Sequence, residues 1–398
     1  MFERIYIKKN RITESQIDLG KLCEALLFYD QTDFMLDRFT ATQFVELMPF
    51  EKLKEYASKG IINLHSRNTA IGIIQLEKGN KTGVAPMVTK SDAHNLDEYV
   101  NQGFLNKGIS KKEASTMTDD FLGLCAKQEY VDGFQKMLEA ECEDEALLTS
   151  QLKIYINSYL PQLSLEDLTI SISDKFSTPV GIEAYIYNSN YDFKTLNDKY
   201  SDLFPEGHTL NWTSFLLNSS ESSGDLNIAS QHNAEIFTDR NHYPYLQNRL
   251  SELITKSKTN EDNITIFENI ELEGYRPIRE SINSGEKSFE DFVEVLDKSL
   301  KFRKWLRNLS DDHTLLNQYY QTVIKESWIE KKIAKASRFG IFTALGMLGD
   351  AAAGGIPIGS AAASVSDNYL LPKLLNGWKP NQFIDNEVKP FLKNEENN

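Results

Sequence analysis

Apolar side chains recur at helical spacing over Ile17, Leu19, Leu22, Cys23, Leu26 and Leu27, one stripe of an amphipathic helix. Thr13 and Gln16 have the spacing of a capping box ahead of it. The alternation of Phe34, Leu36 and Phe39 predicts a strand, and Thr40 predicts the cap of a second helix through Phe44, Val45 and Leu47. Pro49 suits the opening of a third helix carrying Leu53 and Tyr56, with Gly60 as its stop. Two β-rich runs, Ile61 to His65 and Ala70 to Leu76, flank Ser66, Arg67, Asn68 and Thr69 and predict a hairpin.

Helix, strand, helix, helix, hairpin resembles the winged-helix arrangement. A DNA-reading version would concentrate Arg and Lys on its third helix and wing, because phosphate contacts need a basic surface. Residues 1–80 instead carry eleven basic and eleven acidic side chains, and Lys52 and Lys54 alternate with Glu51 and Glu55. The expectation is a protein-binding module over 1–80 and no duplex DNA.

Further along, residues 81–160 read as a helical connector that begins in Gly-, Asn- and Lys-rich loops. Its acidic run Glu139 to Glu145 has the form of a solvated helix face. Leu168, Ile170 and Ile172 alternate, and Val180 to Tyr187, Leu210 to Leu217 and Ile264 to Leu272 are apolar runs of strand length. Helical patterns lie around Asp225–Phe237 and Tyr245–Ile254, so 161–275 is expected to be an α+β domain with a small mixed or antiparallel sheet. From 276 to 338 the pattern is helical, with Ser288 as a cap before Phe289, Phe292, Val293 and Leu296. The predicted class is α+β, predominantly helical.

The segment Phe339 to Ser366 holds a single charge, Asp350, among many glycines and alanines. Glycine costs about 1 kcal/mol relative to alanine inside a helix. The density of Gly346, Gly349, Gly354, Gly355 and Gly359 therefore points to close backbone packing, and Gly355 to Gly359 has GxxxG spacing. Asp350 and Pro357 argue against one uninterrupted span, so two short helices are predicted, followed by an apolar docking helix within 339–398. Upstream, residues 301–338 hold nine Lys or Arg against four acids, including Lys331, Lys332 and Lys335. Such a basic block suits an anionic membrane face.

Composition narrows the function classes. A formal charge of −15 argues against broad nucleic-acid binding. Three cysteines, none close to another, fit neither a disulfide framework nor a structural zinc site. Arg4, Lys8, Lys9 and Arg11 open the chain without a signal-length apolar run, which predicts a cytoplasmic protein, peripheral to the inner membrane face if the basic block engages lipid. At 398 residues more than one domain is expected. The Asn-, Lys- and Ile-rich composition suggests a bacterial source.

Candidate chemistry is sparse. Arg307 followed by His313 resembles the RNase signature of HEPN domains, which implies a proton-transferring imidazole and a cation at the scissile phosphate. The plainer reading makes Ser310 or Asp311 a helix cap and His313 a first-turn residue. His232 and His242, near Asp225 and Asp239, form a loose group whose plainest reading is surface polarity rather than a metal site, and Glu183 has no carboxylate partner at a nuclease-like spacing. No phosphate-binding loop, dinucleotide fingerprint, HExxH or GxSxG is present. The resulting expectation is a non-enzymatic sensor or effector without cofactor or metal, of the kind a bacterial stress or antiviral defence system employs. Its glycine-rich C-terminal helices would mediate self-association, partner binding or membrane contact. The alternatives are a HEPN-like RNase, the one reading that includes RNA as a partner, and a soluble scaffold.

Overall fold

The computed structural model describes residues 4–8, 17–90, 95–177, 181–204, 208–232, 234–238, 242, 244–249, 264–267, 278–308, 339–343 and 383–392. Strands β1 (Arg4–Lys8), β2 (Gln31–Leu36), β3 (Ile62–Arg67) and β6 (Cys125–Gln128) lie side by side in parallel. On the other side of β1 comes β9 (Glu235–Thr238), also parallel. The antiparallel β11 (Phe339–Thr343) and then β10 (Ile264–Phe267) extend that side. A second, antiparallel sheet runs in the order β4 (Thr69–Lys78), β5 (Lys81–Lys90), β8 (Glu183–Ser189), β7 (Ile170–Ser177). The fold is thus mixed α/β with two sheets.

Each step from β1 to β2, β3 and β6 moves the same way across the sheet. Right-handed crossovers therefore place α1 (Leu19–Phe28), α2 (Arg38–Leu47), α3 (Phe50–Ser58), α4 (Leu96–Asn106) and α5 (Lys111–Gly123) on one face. That face supplies Ile5, Ile7, Phe34, Leu36, Ile62 and Leu64 to the largest core, which also takes in Phe289, Phe292 and Leu296 of α11 (Phe289–Lys298). The step from β6 to β9 passes back beyond β1. Its helices α6 (Phe134–Glu143), α7 (Glu145–Tyr159), α8 (Phe193–Tyr200) and α9 (Trp212–His232) include those that cover the other face. With 21 residues α9 is about 30 Å long. Preceding α11 in the chain, α10 (Ile278–Asn283) packs on α1.

Several expectations change. The winged-helix-like arrangement does not form, because β3 pairs with β2 and β6 rather than with β4, and the hairpin is β4–β5 around Gly79 and Asn80. Gly79 sits at φ 64°, a conformation glycine adopts without strain. The predicted antiparallel sheet exists but draws β4 and β5 from the first hundred residues, and β9 of the central segment joins β1, so both sheets cross the expected boundaries. Asp18 caps α1, accepting from Lys21 N at 2.8 Å. Asp37 opens α2: Thr40 N donates to Asp37 Oδ1 at 2.9 Å while Asp37 N donates to Thr40 Oγ1 at 2.9 Å. Thr40 is therefore the third residue of a reciprocal box rather than its cap. Pro49, Gly60 and the Ser288 cap stand where the pattern placed them.

Leu210 to Leu217, read as a strand, contains the start of α9. The opening of the glycine-rich segment, read as helix, is strand β11, where Phe339, Ile341 and Phe342 suit a pleated surface and β9 offers a pairing edge. Gly346, Gly349, Gly354, Gly355, Gly359, Lys331, Lys332, Lys335 and His313 lie outside the described residues. Among the described residues no helix is long and apolar enough to cross a membrane.

Candidate catalytic centre beneath helix α9

Side chains alternate across a strand. Opposite the apolar residues of β1 to β3, the other face presents Arg4, Tyr6 and Lys8, then Asp33 and Met35, then Asn63, His65 and Arg67, with Gln128 from β6. Helix α9 lies over them and buries polar residues in turn: Ser219, Ser220, Glu221, Ser222, Ser223, Asp225, Asn227 and Ser230. Gly224 allows this approach, since a Cβ there would stand 2.9 Å from both Ile71 Cδ1 and Tyr130 Oη. Burial of charge is costly unless it is paired, so the pairing pattern shows how the layer is built.

Toward the C-terminal ends of the strands the charges satisfy one another. Lys8 Nζ lies 2.5 Å from Glu221 Oε2 and 2.5 Å from Asp225 Oδ1. Arg67 Nη2 donates to Glu221 Oε1 and to Tyr130 Oη, each at 3.0 Å. His242 Nε2 is 3.3 Å from Asp225 Oδ2. Burial alone would lower the Lys8 pKa, but Asp225 and Glu221 raise it, keeping the ammonium charged. Behind α9, Glu141 accepts from Arg249 and from Ser223 Oγ, the latter at 2.7 Å. The acidic run of α6 is therefore not wholly a solvated face. This half anchors α9.

The other half centres on Asp33, which is fully buried. Its Oδ1 accepts from Arg4 Nη2 at 2.9 Å, Asn63 Nδ2 at 3.0 Å and His65 Nε2 at 3.1 Å, and its Oδ2 accepts from Arg4 Nε at 2.5 Å. Burial pushes the Asp33 pKa up, yet the His65 and Arg4 hydrogen bonds outweigh it and hold the carboxyl down at about 2. His232, the last residue of α9, lies beside His65 with ring centroids 4.7 Å apart and the planes tilted by 55°. Its Nε2 meets Gln128 Oε1 at 2.6 Å, and its Nδ1 faces Arg4 Nη2 at 3.4 Å. An amide oxygen accepts, so His232 Nε2 carries the proton and Nδ1 the lone pair. Burial lowers the His232 pKa to about 4, the strongest of several effects that include the opposing pull of Asp33, so the ring is neutral at pH 7.

Two polar atoms on this face, Tyr6 Oη and His65 Nδ1, are buried without a hydrogen-bond partner among the described residues. Native interiors leave few such atoms, and each marks a place where water, an ion or a ligand completes the site.

Of the residues singled out from sequence, His232 and His242 both enter this layer but separately, His232 with Asp33 and His65, His242 with Asp225. His242 is buried and His232 is half-buried. Arg307 lies in the last turn of α12 (Leu300–Asn308), and His313 lies outside the described residues. Glu183 accepts from Ser177 at the start of β8, away from the layer. Arg4, Lys8, Asp33, His65 and Arg67 were not singled out as site residues. Their signal is charge at alternate positions inside apolar strands, in Arg4-Ile-Tyr-Ile-Lys8 and in Ile62-Asn-Leu-His-Ser-Arg67. A cleft of about 460 Å³ by the N-terminus of α9, lined by Tyr187, Tyr191, Phe193, Trp212 and Asn188, is a separate concavity without an unpaired charge. Its one carboxylate, Asp192, caps α8 through Lys194 N and Thr195 N.

No protein family matches this chain, and no curated protein or solved structure is significantly similar to it.

Proposed function

We propose that the buried polar layer is the catalytic centre of an enzyme acting on a small polar substrate, with Asp33, His65 and His232 as the groups that activate a water or a substrate hydroxyl. One observation carries the reading: His65 is oriented by a fully buried, fixed carboxylate through Nε2 while its Nδ1 has no hydrogen-bond partner among the described residues. A carboxylate holding one imidazole nitrogen and leaving the other for chemistry is how histidine is prepared for proton transfer. Arg4 and Asn63 hold the carboxylate, and Gln128 holds the second imidazole. The enzymatic reading takes precedence over a purely non-enzymatic sensor, because a scaffold gains nothing from an unsatisfied imidazole in its interior.

Turnover of a panel of phosphoesters, carboxylic esters, amides and nucleotides by the purified full-length protein tests it. Asp33→Asn and His65→Gln should retain the wild-type circular dichroism spectrum and lose about 100-fold or more in turnover. Variants as active as wild type would sink the assignment.

The C-terminal segment keeps its separate reading as an assembly or membrane-contact element, supported by its small residues and upstream basic block. Flotation with anionic vesicles should weaken on charge reversal at Lys331, Lys332 and Lys335, and Gly355→Leu with Gly359→Leu should alter oligomeric state. If neither changes, that reading falls without touching the catalytic one.

A further inference from the structure

Asp33, His65 and His232 each offer one ligand atom, and the three atoms lie within 4.8 Å of one another. A cation already stands among them: Arg4 Nη2 is 2.9 Å from Asp33 Oδ1 and 3.4 Å from His232 Nδ1. Arg4 is the first residue of β1 and its side chain is 28 % exposed, whereas Asp33 is fully buried, so the guanidinium can withdraw to solvent while the carboxylate cannot. Gln128 fixes the tautomer of His232 so that its lone pair is on Nδ1, the nitrogen facing Arg4. A distal N–H held by an amide or carboxylate oxygen is the usual outer-shell arrangement of a metal-binding histidine. The unpartnered Nδ1 of His65 means that this ring can offer either nitrogen without giving up a second hydrogen bond.

We infer that Asp33, His65 and His232 form a site for one divalent transition-metal ion, which enters at the position the Arg4 guanidinium now holds. Two imidazoles and one carboxylate suit zinc, cobalt or iron(II) rather than magnesium or calcium, which prefer oxygen ligands throughout. Three protein ligands leave positions open, as catalytic rather than structural sites do. The ion would supply Lewis acidity, while Gln128 orients His232 and Asn63 steadies Asp33. Arg4 is a positioning residue: it neutralises Asp33 when the ion is absent and competes with it. The inference rests on the catalytic reading of this centre but is tested without turnover.

Full-length protein freed of metal with a chelator is titrated with Co²⁺ and Zn²⁺, and with Mg²⁺ as control, by calorimetry and by thermal unfolding. One equivalent of Co²⁺ or Zn²⁺ should bind saturably and raise Tm, and Mg²⁺ should do neither. His232→Gln and His65→Gln should abolish saturable binding. Gln128→Leu, which leaves all three ligands in place, should weaken it by about 10–100-fold. Arg4→Met should strengthen it. Absence of saturable Co²⁺ and Zn²⁺ binding by the wild type overturns the inference, as does binding that survives both histidine substitutions. Should the metal-free protein turn over a substrate in a manner lost in His65→Gln, the metal is excluded and the catalytic reading stands.

Discussion

The two faces of the parallel strands β1, β2, β3 and β6 belong to the same backbone, yet they are built by opposite means. On one, Ile5, Ile7, Phe34, Leu36, Ile62 and Leu64 meet apolar helix faces in one continuous core. On the other, Arg4, Lys8, Asp33, His65 and Arg67 meet a helix whose buried residues include Glu221, Asp225 and seven serines or asparagines. Burying apolar area stabilises by about 25 cal/mol per Å² with no demand on direction. A buried ion pair repays its desolvation only with good geometry and full satisfaction. The apolar face therefore explains why the chain folds, whereas the polar face calls for a functional explanation.

The largest effects should come from damaging each face in its own way. Phe44→Ala opens a cavity in the apolar core and should cost about 3–5 kcal/mol. Glu221→Ala should cost a similar ~3–5 kcal/mol for a different reason, because Lys8 and Arg67 lose a buried counter-charge. The comparison sharpens in the double variant Arg67→Met with Glu221→Leu, which removes the pair together and should recover most of that loss, as read by urea unfolding. An apolar-face cavity has no such rescue. If the double variant is as unstable as Glu221→Ala, the polar layer is structural in a way proposed here only for the other face.

Acid should bear on two buried groups of the polar face. Asp33 has its folded pKa depressed from 3.8 to about 2, so the stability it contributes, about 2 kcal/mol, is complete above pH ~4 and is lost as pH falls toward 2. His232 is depressed from 6.5 to about 4. The unfolded chain then binds the proton first as pH falls through 6.5, and stability declines down to about 4. Urea midpoints at pH 7, 5 and 3 should fall in sequence, and Asp33→Asn should flatten the lower limb. A midpoint independent of pH over this range would contradict the pairing described for the layer.

Smaller effects test the scaffold of the apolar side. At Gly103 a Cβ would stand 2.9 Å from the Thr42 carbonyl oxygen and 2.9 Å from Val45 Cβ, where α4 crosses α2. Gly103→Ala should therefore cost about 1–2 kcal/mol by overpacking, outweighing the helix propensity it gains. Ser288→Ala, which removes the capping box of α11, should cost about 1 kcal/mol. Thermal unfolding reads both.

Much of the scaffold is local physical chemistry and was legible along the chain. The stripe of α1, the Pro49 opening and Gly60 stop of α3, and the Ser288 cap of α11 depend on neighbours within a few residues. Helix α9 was not legible as one helix. Its run from Asn218 to Gly224 is rich in residues that favour caps and turns, and its buried face is polar, so no apolar period of 3.6 appears. The short apolar stretch at its start then reads as a strand. What tertiary structure alone decided was the parallel pairing of β1, β2, β3 and β6, and with it the candidate centre. Arg4, Asp33, His65 and His232 are separated by up to 228 positions along the chain. No local rule joins them, because their meeting depends on crossovers that align the strands and on α9 ending above β3. The alternation within each strand determined that a charged row would share one face; only the sheet order decided which rows would be neighbours.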